Sequence, residues 1–277
     1  MAMGTNTRSF WDKKDYRSCA SDTPGTELET ITPATREFLR PLLPALHDKT
    51  VLELGCGTGY LTPVLAATCR SVLALDFSEN AIRAARARCS STVNASFRAG
   101  DALDTALDRK FDVITGRFFL HEIMHRDTPR LLRRLDALLA EDGFVYFQEN
   151  SYFNPIARFT RKHLVGHLGI PKFGSENELP FDRIRFEMYR RCFRYCERYV
   201  DGVEVFQKIN QYLVPFRSNR LAAISAGADG VLTRLQRRTG WLNNWSYTQT
   251  IYASQTVPRS AVLGPAGPPR TEGRRTG

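Results

Sequence analysis

No apolar run in the chain approaches the length of a membrane span, and the first residues, MAMGTNTRSFWDKKDYRS, lack the apolar stretch of a secretory signal. Cysteine is sparse, with six residues scattered at 19, 56, 69, 89, 192 and 196. That spread excludes a dense disulfide framework and fits free thiols in a reducing compartment, so a cytoplasmic protein is expected. Cys192 and Cys196 fall on one face of an expected helix, with no second ligand pair to complete a zinc site, and read as small core residues. There is no internal repeat. What the chain does have is 277 residues, 42% hydrophobic and 25% charged, enough for one large domain or two small ones around a sizeable core. Residues 1–150 hold 19 basic and 20 acidic side chains, a net −1, so the chain's net charge of +10 arises from the +11 on residues 151–277. Either an anionic partner of the second half or a solvated basic surface accounts for it.

From Thr50 to Asn150, short β-branched or apolar runs alternate with helical stretches. TVLELG, SVLALDF, ASFRAG, FDVITG and GFVYFQE read as strands. Between them lie helices over Thr58–Thr68, Glu79–Cys89 and Thr128–Ala140, and a short turn near Ala102–Leu107. Leu131, Leu132, Leu135, Leu138 and Leu139 share one side of the last helix, which Asp127–Thr128–Pro129 starts and Gly143 ends. This alternation predicts a parallel sheet covered on both faces. Beyond Asn150 it stops. Two helices are expected near Ile156–Leu168 and Phe181–Tyr199, joined by GIPKFGSENELP, and then strands over Gly202–Tyr212 and Ser246–Gln255 flanking a helix, Asn219–Arg238. The tail, VPRSAVLGPAGPPRTEGRRTG, has the composition of a disordered segment.

The stretch VLELGCGTGYLTPVL places Gly55, Gly57 and Gly59 directly behind the first strand. Closely spaced glycines there let a ligand touch bare backbone, and a helix after them offers unpaired N–H groups. The spacing is not the G-x-G-x-x-G of a diphosphate site, since position 60 is Tyr. Glu53, two residues before the first glycine, would repel a diphosphate and suits a cation.

Glu53-Leu-Gly55-Cys56-Gly57-Thr-Gly59 resembles the first motif, E/D-x-G-x-G-x-G, of class I S-adenosylmethionine-dependent methyltransferases. LALDFSENAI, FRAGDALD, FDVITGRFFLHEI and LLAEDGFVYFQEN resemble that family's later segments in order, over roughly residues 45–150. The resemblance implies a Rossmann-like, seven-stranded, mostly parallel α/β sheet with helices on both faces. It implies S-adenosyl-L-methionine as cofactor, its ammonium balanced by Glu53 and its ribose hydroxyls held by Asp76. Asp101 and the Ala102 amide would meet the adenine, with Phe77 packing on it or in the core, and Arg117 completes the expected cofactor set. Taken singly, Asp76 also reads as a helix cap and Asp101 as a turn residue.

HEIMH, His121 to His125, matches the zinc-hydrolase pattern H-E-x-x-H with Glu122 as base, and His163 and His167 form a second pair at helical spacing. The resemblance already places a leucine–histidine pair, Leu120-His121, after the fourth strand, and no linked signature supplies a third ligand. His121 and Glu149 come directly after the fourth and fifth strands and are the candidate base and substrate ligand; His121 also reads as an ordinary helix-start histidine.

The insertion Ser151–Asp201 falls where a helical lid over an acceptor would lie. In its expected second helix, Phe181, Ile184, Met188, Cys192, Cys196 and Tyr199 form an apolar stripe, Phe186, Tyr189 and Phe193 a second edge, and Arg183, Arg190, Arg194 and Arg198 a basic one. The expected organisation is a helical cap over 1–49, a cofactor-binding core over 50–150, the lid over 151–201, the remaining strands and helix over 202–256 and a disordered tail over 257–277. The expected activity is O-methylation of a hydroxyl or carboxyl on a small molecule, anionic or aromatic, such as a secondary metabolite, glycan or lipid-like acceptor. N-methylation and RNA methylation are the alternatives, with a zinc hydrolase behind them. Nucleic acid is disfavoured because there is no separate RNA-binding module and QENSYFNP is not of the N/D-P-P-Y/F type.

Overall fold

The computed structural model describes residues 33–154, 181–200, 219–239 and 248–264, with 158, 159, 163, 202, 203, 205, 206, 244 and 246. Along the described chain run α1 (Pro33–Ala45), β1 (Thr50–Leu54), α2 (Thr62–Ala66), β2 (Ser71–Asp76), α3 (Glu79–Arg88), β3 (Ala95–Ala99), β4 (Phe111–Arg117), α4 (Thr128–Leu138) and β5 (Leu139–Asn150). Next come α5 (Arg183–Cys192), β6 (Tyr195–Val200), α6 (Asn219–Thr239), β7 (Thr248–Ser254) and α7 (Arg259–Val262). The strands form one seven-stranded sheet in the order β3-β2-β1-β4-β5-β7-β6. β1 to β5 are parallel, and β7 runs antiparallel to both β5 and β6.

Strand alternation divides the core between the two faces. Leu52, Leu54, Ile114, Phe147 and Ile251 pack with α4 and α5 on one side. Val51, Val113, Tyr146 and Tyr252 pack with Phe38, Leu39 and Leu42 of α1 on the other. The Phe38 and Tyr146 rings stack with centroids 4.9 Å apart. β4, β5 and β7 are buried along most of their length, and β7 is buried at every position although Thr248, Gln249, Thr250 and Ser254 are polar.

Three expectations are corrected. Helix start comes at Thr62, not Thr58, because Gly59 has φ +77° and cannot enter a right-handed helix, while Pro63 fits the first turn. The single helix expected over Phe181–Tyr199 ends at Cys192, and Tyr195–Val200 is strand β6, paired with β7 from Tyr195↔Ser254 to Val200↔Gln249. The apolar and basic stripes drawn through that helix therefore break: Cys192 and Cys196 share no helical face, and Arg198 lies buried in the sheet with its guanidinium 3.9 Å over the Phe153 ring. The sixth strand is thus not Gly202–Tyr212; of that segment, Val205 and Phe206 are helical and residues 207–212 lie outside the described ones.

The tail is also corrected at its start. Residues 257–264 pack on the sheet: Leu263 joins the cluster of Tyr199 and Tyr252, Arg259 lies 4.2 Å over the Tyr199 ring, and Tyr252 Oη donates to the Val257 carbonyl. Residues 265–277, the expected first lid helix apart from Arg158, Phe159 and His163, and the loop 169–180 lie outside the described residues. Among the described residues no helix is long and apolar enough to cross a membrane.

Candidate active site

Because β1 to β5 are parallel, their carboxyl ends share one edge of the sheet, where open α/β sheets bind ligands. That edge carries the glycine turn, Asp76, Asp101, Arg117 and Glu149. The amides of Gly55 and Cys56 both donate to the Leu75 carbonyl at 2.8 and 3.1 Å, so the turn folds onto the end of β2. All three glycines have left-handed φ, +68° at 55, +53° at 57 and +77° at 59, yet each meets a different neighbour. A Cβ on Gly55 would stand 2.4 Å from Phe119 Cβ, and one on Gly59 would stand 3.0 Å from Cys89 Sγ. One on Gly57 meets nothing within 4 Å among the described residues. Two of the glycines thus serve packing, and only Gly57 leaves space open to a ligand. Cys56 is buried, and burial pushes its thiol well up.

Asp76 is tied at both oxygens: Oδ2 accepts the Gly57 amide at 2.8 Å and Oδ1 the Ser78 amide at 3.0 Å. The cap of α3 is Ser78, whose hydroxyl accepts from the Ala81 amide at 3.2 Å, so Asp76 is not the helix cap. Glu53 is buried and accepts the Thr62 hydroxyl at 2.6 Å. Burial, more than the nearby Asp76 charge, pushes its carboxyl up to about 8 against the pull of Thr62 and Arg117. Asp101 Oδ1 accepts the Leu103 amide at 2.8 Å and so closes the turn after β3. Phe77 and Ala102 are half-buried beside Asp76 and Asp101 in the chain. Arg117 donates through Nε to Gln148 Oε1 at 2.6 Å and lies 4.8 Å from the Phe118 ring centroid. Phe118 itself has φ +52°, a strained conformation for a bulky residue, and it opens the segment that carries His121.

The structure brings His121 and Glu149 together. Imidazole Nδ1 lies 2.8 Å from Glu149 Oε1, and the His121 amide donates to Oε2 at 3.3 Å. His121 is 6% exposed and Glu149 0%. Burial raises the Glu149 carboxyl, but the His121 charge and hydrogen bond, with the amides of Asn150 and His121, outweigh it and hold the group below the ordinary glutamate value. On its other side, His121 Nε2 stands 3.6 Å from Glu122 Oε1. A carboxylate on Nδ1 fixes the tautomer and leaves Nε2 to take or give a proton.

The H-E-x-x-H motif does not form a metal site. Leu120–Glu122 and His125–Asp127 are separate 3-10 turns with extended backbone between them, so the two histidines do not share a helical face. His125 Nε2 instead lies 3.9 Å from Asp182 Oδ2. Among the described residues no group of three or more His, Cys, Asp or Glu could hold a metal ion.

Sequence reasoning missed Phe119, which packs against Gly55, and the role of Arg185 in α5. Arg185 of α5 is 1% exposed; its Nη1 donates to the Leu120 carbonyl at 2.5 Å and its Nη2 to the Ile123 carbonyl. One turn on, the Tyr189 hydroxyl is buried with no hydrogen-bond partner among the described residues. No local signal marks Phe119 or Arg185, since their partners lie more than 60 positions away.

Residues 51–143 match the family model described as a methyltransferase domain. The match covers about a third of the chain, from β1 into β5. Phosphoethanolamine N-methyltransferase 1 of Caenorhabditis elegans is 29% identical over 150 residues, which are 52% of this chain and 31% of that protein. A ubiquinone biosynthesis O-methyltransferase of Nitrosomonas europaea is 28% identical over 123 residues, 43% of this chain and 52% of that one. The chain thus spans about a third of the first of these curated relatives and about half of the second. In fold, the chain resembles Haemonchus contortus phosphoethanolamine N-methyltransferase 1 in complex with phosphoethanolamine and S-adenosylhomocysteine. The TM-score is 0.55 at 20% identity, over 95% of this chain and 53% of that one.

Proposed function

We propose that the protein transfers a methyl group from S-adenosylmethionine to a small molecule at the carboxyl edge of the sheet. The observation that carries this reading is the Gly57 turn, whose amide is fixed on Asp76 and whose α-carbon faces space open among the described residues. The residues suit that cofactor. A buried carboxyl pushed up to about 8, as at Glu53, is one that a ligand ammonium would ionise and pair with. A carboxylate accepts two hydroxyl donors at once, which suits Asp76 to the two ribose hydroxyls. Asp101 and the Ala102 amide would take the adenine edge, with Phe77 against the ring. Gly55, Cys56, Gly57 and Gly59 would form the cradle, and the Arg117 charge acts on Glu53.

S-adenosylmethionine supplies an activated methyl group; the chain supplies alignment and proton transfer. His121, with Nδ1 held by Glu149, would accept the acceptor's proton at Nε2. Glu149 and Glu122 flank the imidazole and stabilise the cation that results. Such a pair serves an acceptor whose nucleophile must lose a proton, a hydroxyl first. N-methylation of an amine is the second reading, favoured by the phosphoethanolamine N-methyltransferases among the relatives.

Asp76→Ala tests the cofactor site. Calorimetry should show S-adenosylhomocysteine affinity falling by about a hundredfold, as loss of two charge-assisted hydrogen bonds implies, with circular dichroism unchanged. Undiminished affinity overturns the assignment. The acceptor is tested by transfer of labelled methyl to phosphoethanolamine, to hydroxylated aromatics and to cell extract with and without nuclease. Label that disappears on nuclease treatment would favour RNA instead.

A further inference from the structure

We propose that Arg185, outside the matched methyltransferase segment, is a positioning residue that holds His121 on Glu149. The inference rests on the role proposed above for that pair. His121 sits in a 3-10 turn of three residues, Leu120–Glu122, which gives way at once to extended backbone at Ile123. So short a turn has little stability of its own: its hydrogen bonds are Glu122 amide to Phe119 carbonyl at 3.0 Å and Ile123 amide to Leu120 carbonyl at 3.1 Å. Nothing in that local geometry decides which way the imidazole faces.

Arg185 supplies the missing constraint from another part of the chain. Its two terminal nitrogens donate to the Leu120 and Ile123 carbonyls, the two residues that bracket His121 and Glu122. A guanidinium is planar and presents its donors in a fixed fork, so two carbonyls held by one fork are held at a set spacing. The arginine is itself anchored: its amide donates to Asp182 Oδ1 at 3.0 Å, the cap of α5, and Asp182 Oδ2 faces His125 at the far end of the same segment. Helix α5 therefore grips HEIMH at both ends. Burying a guanidinium on two neutral carbonyls is costly, and the anionic Glu149 nearby offsets part of the cost. Arg185 and His121 thus both feel the charge of the Glu149 carboxylate.

The proton that His121 Nδ1 shares with Glu149 gives the test its readout, because an imidazole N–H bonded to a carboxylate resonates far downfield in the proton spectrum. The protein, with nitrogen-labelled histidine and bound S-adenosylhomocysteine, should show that signal, and Glu149→Gln should remove it. Arg185→Met should remove or broaden it while circular dichroism and the exposed-arginine controls Arg191→Met and Arg194→Met stay as in the parent chain. Arg185→Lys, which keeps the charge but reaches one carbonyl, should restore it in part and shifted. A folded Arg185→Met protein with the signal unaltered overturns the proposal, as does its absence from the parent chain. Should Arg185→Met not fold, Arg185→Lys decides: a shifted or weakened signal supports the role and an unaltered one ends it. Methyl transfer is not part of this readout. A signal that answers to Arg185 in a protein that transfers no methyl group would leave the positioning role standing and remove the proposed function.

Discussion

On the β1–β2 side of the edge, contacts close over short stretches of chain: 9 residues separate Glu53 from Thr62 and 19 separate Gly57 from Asp76. On the β4–β5 side they close over 28 residues for His121 and Glu149 and over 65 for Arg185 and the Leu120 carbonyl. Each side holds one fully buried glutamate, and the two titrate in opposite senses. Glu53 has one hydroxyl, a like charge and the weaker pull of Arg117 for company, so burial wins and its carboxyl is pushed up to about 8. Glu149 has an imidazole and two amides, so its carboxyl is held below the ordinary value. What separates them is partners, not depth. A buried acid that stays neutral awaits a cation from outside; one already paired has a task inside the protein.

The largest expected effect comes from that opposition. Glu53 binds a proton in the folded chain that it has lost in the unfolded chain from about pH 4.5 up to about 8. Its contribution is therefore fully present below the unfolded value and is lost as pH rises through the folded one. The fall amounts to about 4–5 kcal/mol across that window for the ligand-free protein. Glu149 has the reverse sign: its contribution is present above the unfolded value and is lost as pH falls through the folded one. Denaturant melts from pH 4 to 9 should show Glu53→Gln flattening the alkaline limb and Glu149→Gln the acid limb. If both variants flatten the same limb, the two carboxylates are not distinguished by their partners and the comparison collapses.

The glycines sharpen the contrast within the first side. Gly55→Ala drives a Cβ to 2.4 Å from Phe119 and also strains φ, so it should cost about 3–4 kcal/mol of stability. Gly57→Ala meets no neighbour within 4 Å among the described residues and should cost only the left-handed strain, about 1–2 kcal/mol. It should nevertheless lower S-adenosylhomocysteine affinity more than any stability loss explains, since the new methyl group enters the ligand's space. Equal losses of affinity after equal losses of stability would mean that Gly57 faces no ligand.

Much of the first side was legible because its signals are local. Five strands with apolar cores, a glycine turn and acidic residues at strand ends can be read without knowing what pairs with what. Even there, Pro63 was the better marker of the α2 start than the glycines. On the second side the determinants are non-local. YCERYV becomes a strand because β7 lies beside it, and tertiary pairing overrides the helical period that continues from α5. H-E-x-x-H looks like a metal motif until the backbone breaks at Ile123, and Arg185 looks like one more arginine on a basic helix until its carbonyl partners are seen.

The smallest effect belongs to Thr62→Val, and it tests whether the short-range side is tuned or merely buried. The hydroxyl of Thr62, 2.6 Å from Glu53 Oε2, is the strongest influence lowering the Glu53 carboxyl. Valine keeps the shape and removes the donor, so the carboxyl rises further and ionises less readily at neutral pH. The loss is of the order of one hydrogen bond, about 1 kcal/mol, or about fivefold in affinity for a ligand whose ammonium must pair with the ionised form. The loss should be full at pH 7 and shrink toward pH 9.5, where Glu53 is ionised with or without the hydroxyl. Calorimetry with S-adenosylhomocysteine at the two values separates this from simple damage to the fold. A loss that does not change with pH would show that Thr62 acts on packing alone and that the ligand does not draw on the Glu53 charge.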